Sequence, residues 1–438
     1  MQRSLKTLVV PLATGLILVF MAVGLPVLDP KPKQVSAQRA PASGDAVRAA
    51  QANNAFGLDL YAQVREEPGN LFFSPYSIAS AFAMVYGGAR SNTKSQVAEV
   101  FHFEGEQEGL HQGFSELNGL FNSMGSTSGA AGKCWWSCDG TEEVTLGLCV
   151  ANALWAQQGH IFLDAYLELL DTYYEAAVSL VDFALAPGGA ASQINDWVRT
   201  ATENEITELV TAQDLAATTR LVLTNAIYFK GAWVYQFDKK LTQNAPFYLA
   251  DGSAVEAPMM EAEGDFRVFW HEDFDMVEMP YVGGELAMVV LLPHAEQDIN
   301  GLKALDTIEA ELSAANLEAW VSELAEQRMT VYLPKFSMET RYALKESLIA
   351  MGMPDAFDQG VADFSGMDGT NDLFVFDAFQ AAFVDVNEEG TEAGAATAVT
   401  MSCSARPPFR ADHPFIFLIR DTDSGAILFL GRMANPLG

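Results

Sequence analysis

Six histidines, four cysteines and 57 acidic side chains are the groups with which this 438-residue chain could do chemistry, and their spacing encodes no active site. His102, His111, His160, His271, His294 and His413 never fall at the His-x-x-x-His or His-Glu-x-x-His intervals that set two imidazoles on one helical face for zinc. No Gly-x-Ser-x-Gly elbow occurs. Ser91-Asn92-Thr93-Lys94 fits a Ser-x-x-Lys acylating pair, but the companion motifs of that chemistry are missing. The glycine-rich run from Gly125 to Lys133 superficially resembles a phosphate cradle and fails: Thr127 stands where a glycine is needed, and Cys134 follows Lys133 in place of Ser or Thr. His271-Glu272-Asp273 reads as solvated loop charge. Cys134 and Cys138 bracket Trp135 and Trp136 with no histidine close by. A disulfide is the better reading than zinc, and Cys149 and Cys403 leave its pairing open. Cys149 itself reads as a small buried hydrophobe. No catalytic residue, cofactor or metal is expected.

One stretch near the C-terminus stands apart by composition and pattern. From Gly390 to Ala398 almost every side chain is small, and no large apolar anchor comes before Val399 and Met401, the composition of an exposed loop. Yet the residues alternate with period two. Thr391, Ala393, Ala395, Thr397, Val399 and Met401 share one side; Glu392, Gly394, Ala396, Ala398, Thr400 and Ser402 share the other. The segment is able to live as a loop or as a central strand.

The run Glu388-Glu389-Gly390-Thr391-Glu392-Ala393-Gly394-Ala395-Ala396-Thr397 resembles the reactive-loop hinge of the serpins, the serine protease inhibitor superfamily, and the resemblance extends from about Asp45 to the C-terminus. It implies an α+β fold with a large central β-sheet, further sheets, about nine helices and an exposed reactive-centre loop at 388–412. It also implies a mechanism. The target's serine attacks the loop and forms an acyl-enzyme, and the freed loop enters the main sheet as an extra strand. About 14 residues at about 3.3 Å each would carry the protease about 46 Å. The small residues at Thr391, Ala393, Ala395 and Thr397 would meet the sheet interior, with Glu392 facing out, which favours an inhibitory member over a carrier-type serpin cleaved as a plain substrate. Counting sixteen from Glu388 puts the reactive bond at Ser404–Ala405, or at Cys403–Ser404 if the loop is one residue shorter. A small residue there suits an elastase-like or subtilisin-like pocket. Ser74, Ser77 and Asn225 match the family's polar shutter beneath the sheet. Gln380 stands where the family usually has a histidine, so the shutter keeps hydrogen-bonding capacity without that group's titration. Trp233 matches the tryptophan at the upper end of the sheet.

The elements that must position these residues are legible as patterns. Val47, Ala50, Phe56, Leu60 and Val64 recur at helical spacing over 45–65. Ser74-Pro75 caps and opens a helix that stops at Gly87-Gly88. Helices are also expected over 164–174 and 190–204. The run from Leu221 to Trp233 is continuously apolar, as in a strand buried on both faces, and is a specific signature of the family. Val144 to Trp155 reads as a strand, and 277–293, 331–336, 414–420 and 427–436 resemble the family's remaining strand segments. Residues 125–143 are an insertion relative to it; packing of the insert explains the paired tryptophans better than a docking patch.

Residues 1–37 read as a leader: Arg3 and Lys6 precede an apolar run from Thr7 to Leu28, and Val35-Ser36-Ala37 offers small residues for cleavage before Gln38. An uncleaved membrane anchor is the alternative. A flexible spacer at 38–44 and one domain at 45–438 follow. The net charge of −32 becomes about −35 once the leader is removed. Such a chain is a poor partner for nucleic acid or anionic membranes. The charge reads first as solubility and second as steering toward a basic target. The expected protein is a secreted, extracellular or periplasmic monomer whose partner is a serine protease.

Overall fold

The computed structural model describes residues 39–124, 146–294, 301–391 and 407–438. Among them are ten α-helices, one a four-residue turn, against the nine or so expected. They are α1 (Gly44–Val64), α2 (Pro75–Gly88), α3 (Ser91–Val100), α4 (Gln107–Ser123), α5 (Asp164–Tyr174), α6 (Pro187–Ala201), α7 (Gly301–Glu311), α8 (Ala314–Ser322), α9 (Lys345–Ala350) and α10 (Ser365–Asp368). The first strands are β1 (Leu71–Phe73), β2 (Leu146–Gln157), β3 (Val178–Val181), β4 (Leu221–Ala232), β5 (Gln243–Tyr248), β6 (Ala254–Trp270), β7 (Phe274–Pro280) and β8 (Leu286–Pro293). The later ones are β9 (Ala325–Pro334), β10 (Phe336–Ala343), β11 (Val375–Val386), β12 (Gly390–Thr391), β13 (Phe409–Arg410), β14 (Phe415–Asp421) and β15 (Ile427–Met433).

Two sheets result. One runs β1-β15-β14-β8-β7-β6-β9-β13, with β5 joined to β6. The other runs β10-β11-β12-β4-β2-β3, with β11 also bonded directly to β4. That last pairing is parallel, from Val375 opposite Leu221 to Phe383 opposite Tyr228. Its neighbours are antiparallel: β2 on β4, and β10 on β11. The sheet therefore has an upper end at Ala232 and Val386 and a lower end at Gln157, Val181, Leu221 and Val375.

The continuous apolar run of β4 follows from burial on both faces. Leu221, Leu223, Ile227 and Phe229 join the large core with α2, whose residues are all buried, while Val222 and Ala226 join a second core with Ile194 and Val198 of α6. The Ser74 side chain caps α2 by accepting the Ser77 N–H, and Pro75 opens the helix. The helix expected over 190–204 runs instead over Pro187–Ala201, because Pro187 supplies a first helical residue three positions earlier than the apolar periodicity marks. Among the described residues no helix is long and apolar enough to cross a membrane.

Candidate functional site

At the upper end β11 and β4 part, and the chain turns back between them. Thr391 pairs with Val386 on one side and with Gly231 on the other, and Gly390 pairs with Ala232. Only glycine fits at 390. Its φ is +155°, and a Cβ there would lie 2.0 Å from the Gly231 carbonyl oxygen.

Trp233 fixes this turn. Its N–H donates to the Glu389 carbonyl at 3.0 Å, and its indole Nε1–H donates to the Asn387 carbonyl at 3.1 Å. The ring is buried and stacks on Tyr281 with centroids 4.4 Å apart. The Phe237 N–H donates to the Glu388 carbonyl at 2.9 Å. The Glu388 side chain is buried, accepting from Thr242 Oγ1 at 3.0 Å and from Lys335 Nζ at 3.1 Å. Burial pushes its carboxyl up, but hydrogen bonds from its own backbone, Lys335 and Thr242 outweigh this and hold it below its ordinary value. Glu389 pairs with Lys239.

Halfway down the same seam lies a polar cluster in an otherwise apolar core. Gln380 of β11 sits level with Asn225 of β4, and Asn225 is level with Asn152 of β2. Gln380 binds the Ser74 backbone twice: Oε1 accepts the Ser74 N–H at 3.1 Å, and Nε2 donates to its carbonyl at 2.8 Å. Asn152 Oδ1 accepts from Ser77 Oγ at 3.2 Å and from Asn225 Nδ2 at 3.0 Å. Ser74, Ser77, Asn225 and Gln380 are all fully buried. Gln380 ties β11 to the start of α2, and Asn152 ties β2 to both β4 and α2, so both sides of the seam are fastened to α2 at this level.

Of the expected site residues, Ser74, Ser77, Asn225 and Gln380 come together, and Glu388 to Thr391 sit beside Trp233. Glu392 to Thr397, Cys403, Ser404 and Ala405 lie outside the described residues, as do Cys134, Cys138 and the side chain of Cys149. One expectation needs correcting. The exposed loop at 388–412 is tied down at both ends: Glu388 is buried, Gly390–Thr391 is a strand, and Phe409 is buried in β13, which pairs in parallel with β9 at Val331. The ends hold because the strands beside them offer unpaired backbone groups, which small loop residues do not reveal. Ser91 and Lys94 do not form an acylating pair; Ser91 Oγ donates to Asp363 at 2.6 Å and Lys94 Nζ to Gln107 at 2.5 Å. Among the described residues no group of three or more His, Cys, Asp or Glu could hold a metal ion.

Sequence reasoning missed Asn152, Thr242, Lys335 and Lys239. A polar Asn152 inside a strand-like apolar run was a usable signal. The other three lie 146 to 150 positions from their partners, or 53 in the case of Lys335, in segments with no marking pattern.

A mixed sheet whose two central strands run parallel, parted at one end by the start of an antiparallel strand, defines a protein built to accept its own loop. The family model for serpins, described as serine protease inhibitors, matches residues 51–436. The chain belongs to that family, and its activity is serine protease inhibition rather than catalysis. It is 40% identical over 395 residues to the leukocyte elastase inhibitor of Homo sapiens, covering 88% of this chain and 98% of that one. It is 37% identical over 389 residues to an uncharacterized serpin-like protein of Thermococcus kodakarensis, covering 87% and 84%. Among solved structures, uncleaved ovalbumin superposes with a TM-score of 0.77 at 28% identity, covering 89% of this chain and all of that one. Human thyroxine-binding globulin with its hormone also gives 0.77, at 27% identity, covering 90% of this chain and 100% of that one.

Proposed function

We propose that this chain traps serine proteases by taking its cleaved loop into the seam between β4 and β11, with the reactive bond at Ser404–Ala405. The carrying observation is the register already set at the upper end. Continued downward from Thr391, it sets Ala393 level with Phe229 and Val384, Thr397 level with Asn225 and Gln380, and Met401 level with Leu221. Cross-strand partners share a face, so Thr391, Ala393, Ala395, Thr397 and Val399 fall on the side of Phe229, Ile227 and Leu223, in the large core. The small side chains meet the interior, and the one mid-strand threonine meets the polar cluster. Glu392 falls level with Lys230, its charge complement.

A small residue at position 404 suits an elastase-like or subtilisin-like pocket, and the elastase specificity in the name of the human relative agrees with the first. In this reading the protein acts as an exported monomer, with Arg3, Lys6 and the apolar run to Leu28 directing export and cleavage falling before Gln38. A retained anchor would put the same domain on a membrane surface.

The test is to mix the purified protein with an elastase-like and a subtilisin-like protease, denature, and sequence the released fragment. A detergent-stable complex with a fragment beginning at Ala405 supports the proposal. Cleavage without a complex makes the chain a substrate, and thyroxine-binding globulin then becomes the more apt comparison, as a relative solved with a bound small molecule.

A further inference from the structure

His111 of α4 is 2% exposed, the most enclosed of the six histidines, and both of its ring nitrogens are engaged. Nδ1 lies 2.6 Å from the Tyr174 hydroxyl of α5, and Nε2 lies 3.1 Å from Gln107 Nε2, one turn back on α4. The Gln107 amide has a fixed direction. Its Oε1 accepts from Lys94 Nζ of α3 at 2.5 Å, and its Nε2 also reaches the Gly87 carbonyl of α2 at 3.4 Å. Lys94 has only donors, so the Gln107 oxygen faces it and the Gln107 NH2 faces His111. The imidazole Nε2 is therefore an acceptor, and the single ring proton sits on Nδ1, donating to Tyr174. The line Lys94–Gln107–His111–Tyr174 has one consistent set of donors and acceptors, and it is the set of a neutral ring.

An added proton finds no acceptor there. On Nε2 it points at the Gln107 NH2, and turning that amide over points the NH2 at the Lys94 ammonium instead. The titratable groups around the ring do not help. From α3 comes Lys94, with Arg90 behind it at the start of that helix. From α2 comes Tyr86, with Lys94 Nζ 4.9 Å from its ring centroid. From α5 come Tyr173 and Tyr174, with Tyr166 and Tyr76 near the Tyr174 hydroxyl, which burial keeps protonated. β2 has no charged side chain. The carboxylates of Glu99, Glu108, Asp164, Glu168 and Asp171 on the same helices are exposed, and Glu116 accepts the Ser43 N–H. Asp45 of α1 pairs with Arg48 and lies against Gly109, across α4 from His111. Burial, with Lys94 adding to it, lowers the His111 imidazole to about 4. We infer that Lys94, Gln107, His111 and Tyr174 form an acid-released clasp: while the ring is neutral it fastens α4 to α3 and α5, and on taking a proton it lets them part. α4 precedes β2 in the chain and α5 follows it, so the clasp holds the two helices that flank the strand bearing Asn152. It belongs to the uncut protein and does not depend on the trapping mechanism.

The test is amide hydrogen exchange of the full protein at pH 7.5 and pH 5.0, read by mass spectrometry and divided by the intrinsic exchange rate at each pH. A histidine that titrates near 6.5 when freed and about 4 when clasped favours the open form as pH falls below 6.5, and the gain levels off near 4. Opening of α4 and α5 is therefore expected to rise about thirtyfold between the two conditions. α6, which has no histidine, is the internal reference and is expected to change far less. Two variants separate the clasp from general acid softening. His111→Phe keeps the ring volume without the titration, and its rise is expected to vanish. Gln107→Glu keeps the histidine and sets a carboxylate between Lys94 and Nε2, giving the imidazolium an acceptor, so its rise is expected to vanish as well. A parent protein whose α4 and α5 change no more than α6 overturns the inference. So does a rise of the parent's size in Gln107→Glu, which decides the matter even where His111→Phe does not fold.

Discussion

Gln380 and Ser74 hold each other at two points, amide to backbone in both directions, although 306 residues separate them in the chain. The pair locks the middle of β11 to the start of α2. Replacing Gln380 by Ala leaves a buried N–H and a buried carbonyl without these bonds, at a cost of about 1–3 kcal/mol. Thermal unfolding is expected to move down by several degrees, with faster opening of the β4–β11 seam in hydrogen exchange. Because Gln380 does not titrate, a Gln380→His variant adds a pH dependence. A buried imidazole resists protonation while the unfolded one accepts a proton near pH 6.5, so the variant loses stability relative to the parent as pH falls below about 6.5. Denaturant melts at pH 7.5 and 5.5 measure this; a constant gap between the proteins would contradict it.

Gly390→Ala tests the turn. A methyl group 2.0 Å from the Gly231 oxygen has to displace backbone. The expected loss is about 1–3 kcal/mol, the range for strained backbone held by its surroundings. The functional readout is the number of inhibitor molecules consumed per protease inactivated. It is expected to rise above the parent value, since a hinge pushed out of the sheet inserts more slowly than the acyl bond hydrolyses.

Thr397→Arg tests the register. The guanidinium would have to enter the buried level of Asn225 and Gln380, at a cost of about several kcal/mol if unpaired. This variant is expected to be cut at the same bond, at a similar rate, with no detergent-stable complex. Ala398→Arg, one residue on, falls on the opposite face toward α6 and is expected to trap more efficiently than Thr397→Arg. Equal behaviour of the two variants would argue against the stated register.

Glu388 makes the upper anchor sensitive to acid. Its folded carboxyl is held below the ordinary value of 4.5, so its stabilisation is complete above that value and is lost as pH falls through the lower folded value. Removing the charge with Glu388→Gln should lower stability at pH 7 by about 1–2 kcal/mol, and the variant should lose less than the parent between pH 5 and pH 3. Lys335 is partly exposed, so solvent weakens its share, and Lys335→Met is expected to have the smaller effect.

The parts of the site that depend on local pattern could be read from the sequence. The uninterrupted apolar run marked β4 as buried on both faces, and Ser74-Pro75 announced the start of α2, whereas the period-two alternation of the loop runs beyond Thr391, outside the described residues. What stayed hidden depends on which strands lie beside one another. Nothing near Lys335 or Thr242 indicates that a carboxylate from Glu388 arrives between them, because that meeting is made by the pairing of β10 with β11, which sets Phe336 opposite Val386, and by the backbone bond from Phe237 to Glu388. The tethering of Phe409 to β9 was illegible for the same reason, since a two-residue strand leaves no periodicity. Asn152 is the intermediate case. Its polarity within an apolar strand pointed to a buried partner, and only the β2–β4 register says that the partner is Asn225.

The two rungs made by Gly390 and Thr391 bear on time course as well as shape. In a polymer that converts cooperatively, the slow event is forming the first contacts, and growth from an existing end is fast. Here that first contact is already present in the uncut chain, flanked by Val386 and Gly231. Cutting the loop therefore starts a zipper whose slider is engaged. The conversion is expected to run as a single exponential from the moment of cleavage, without a lag, and each molecule can run it only once.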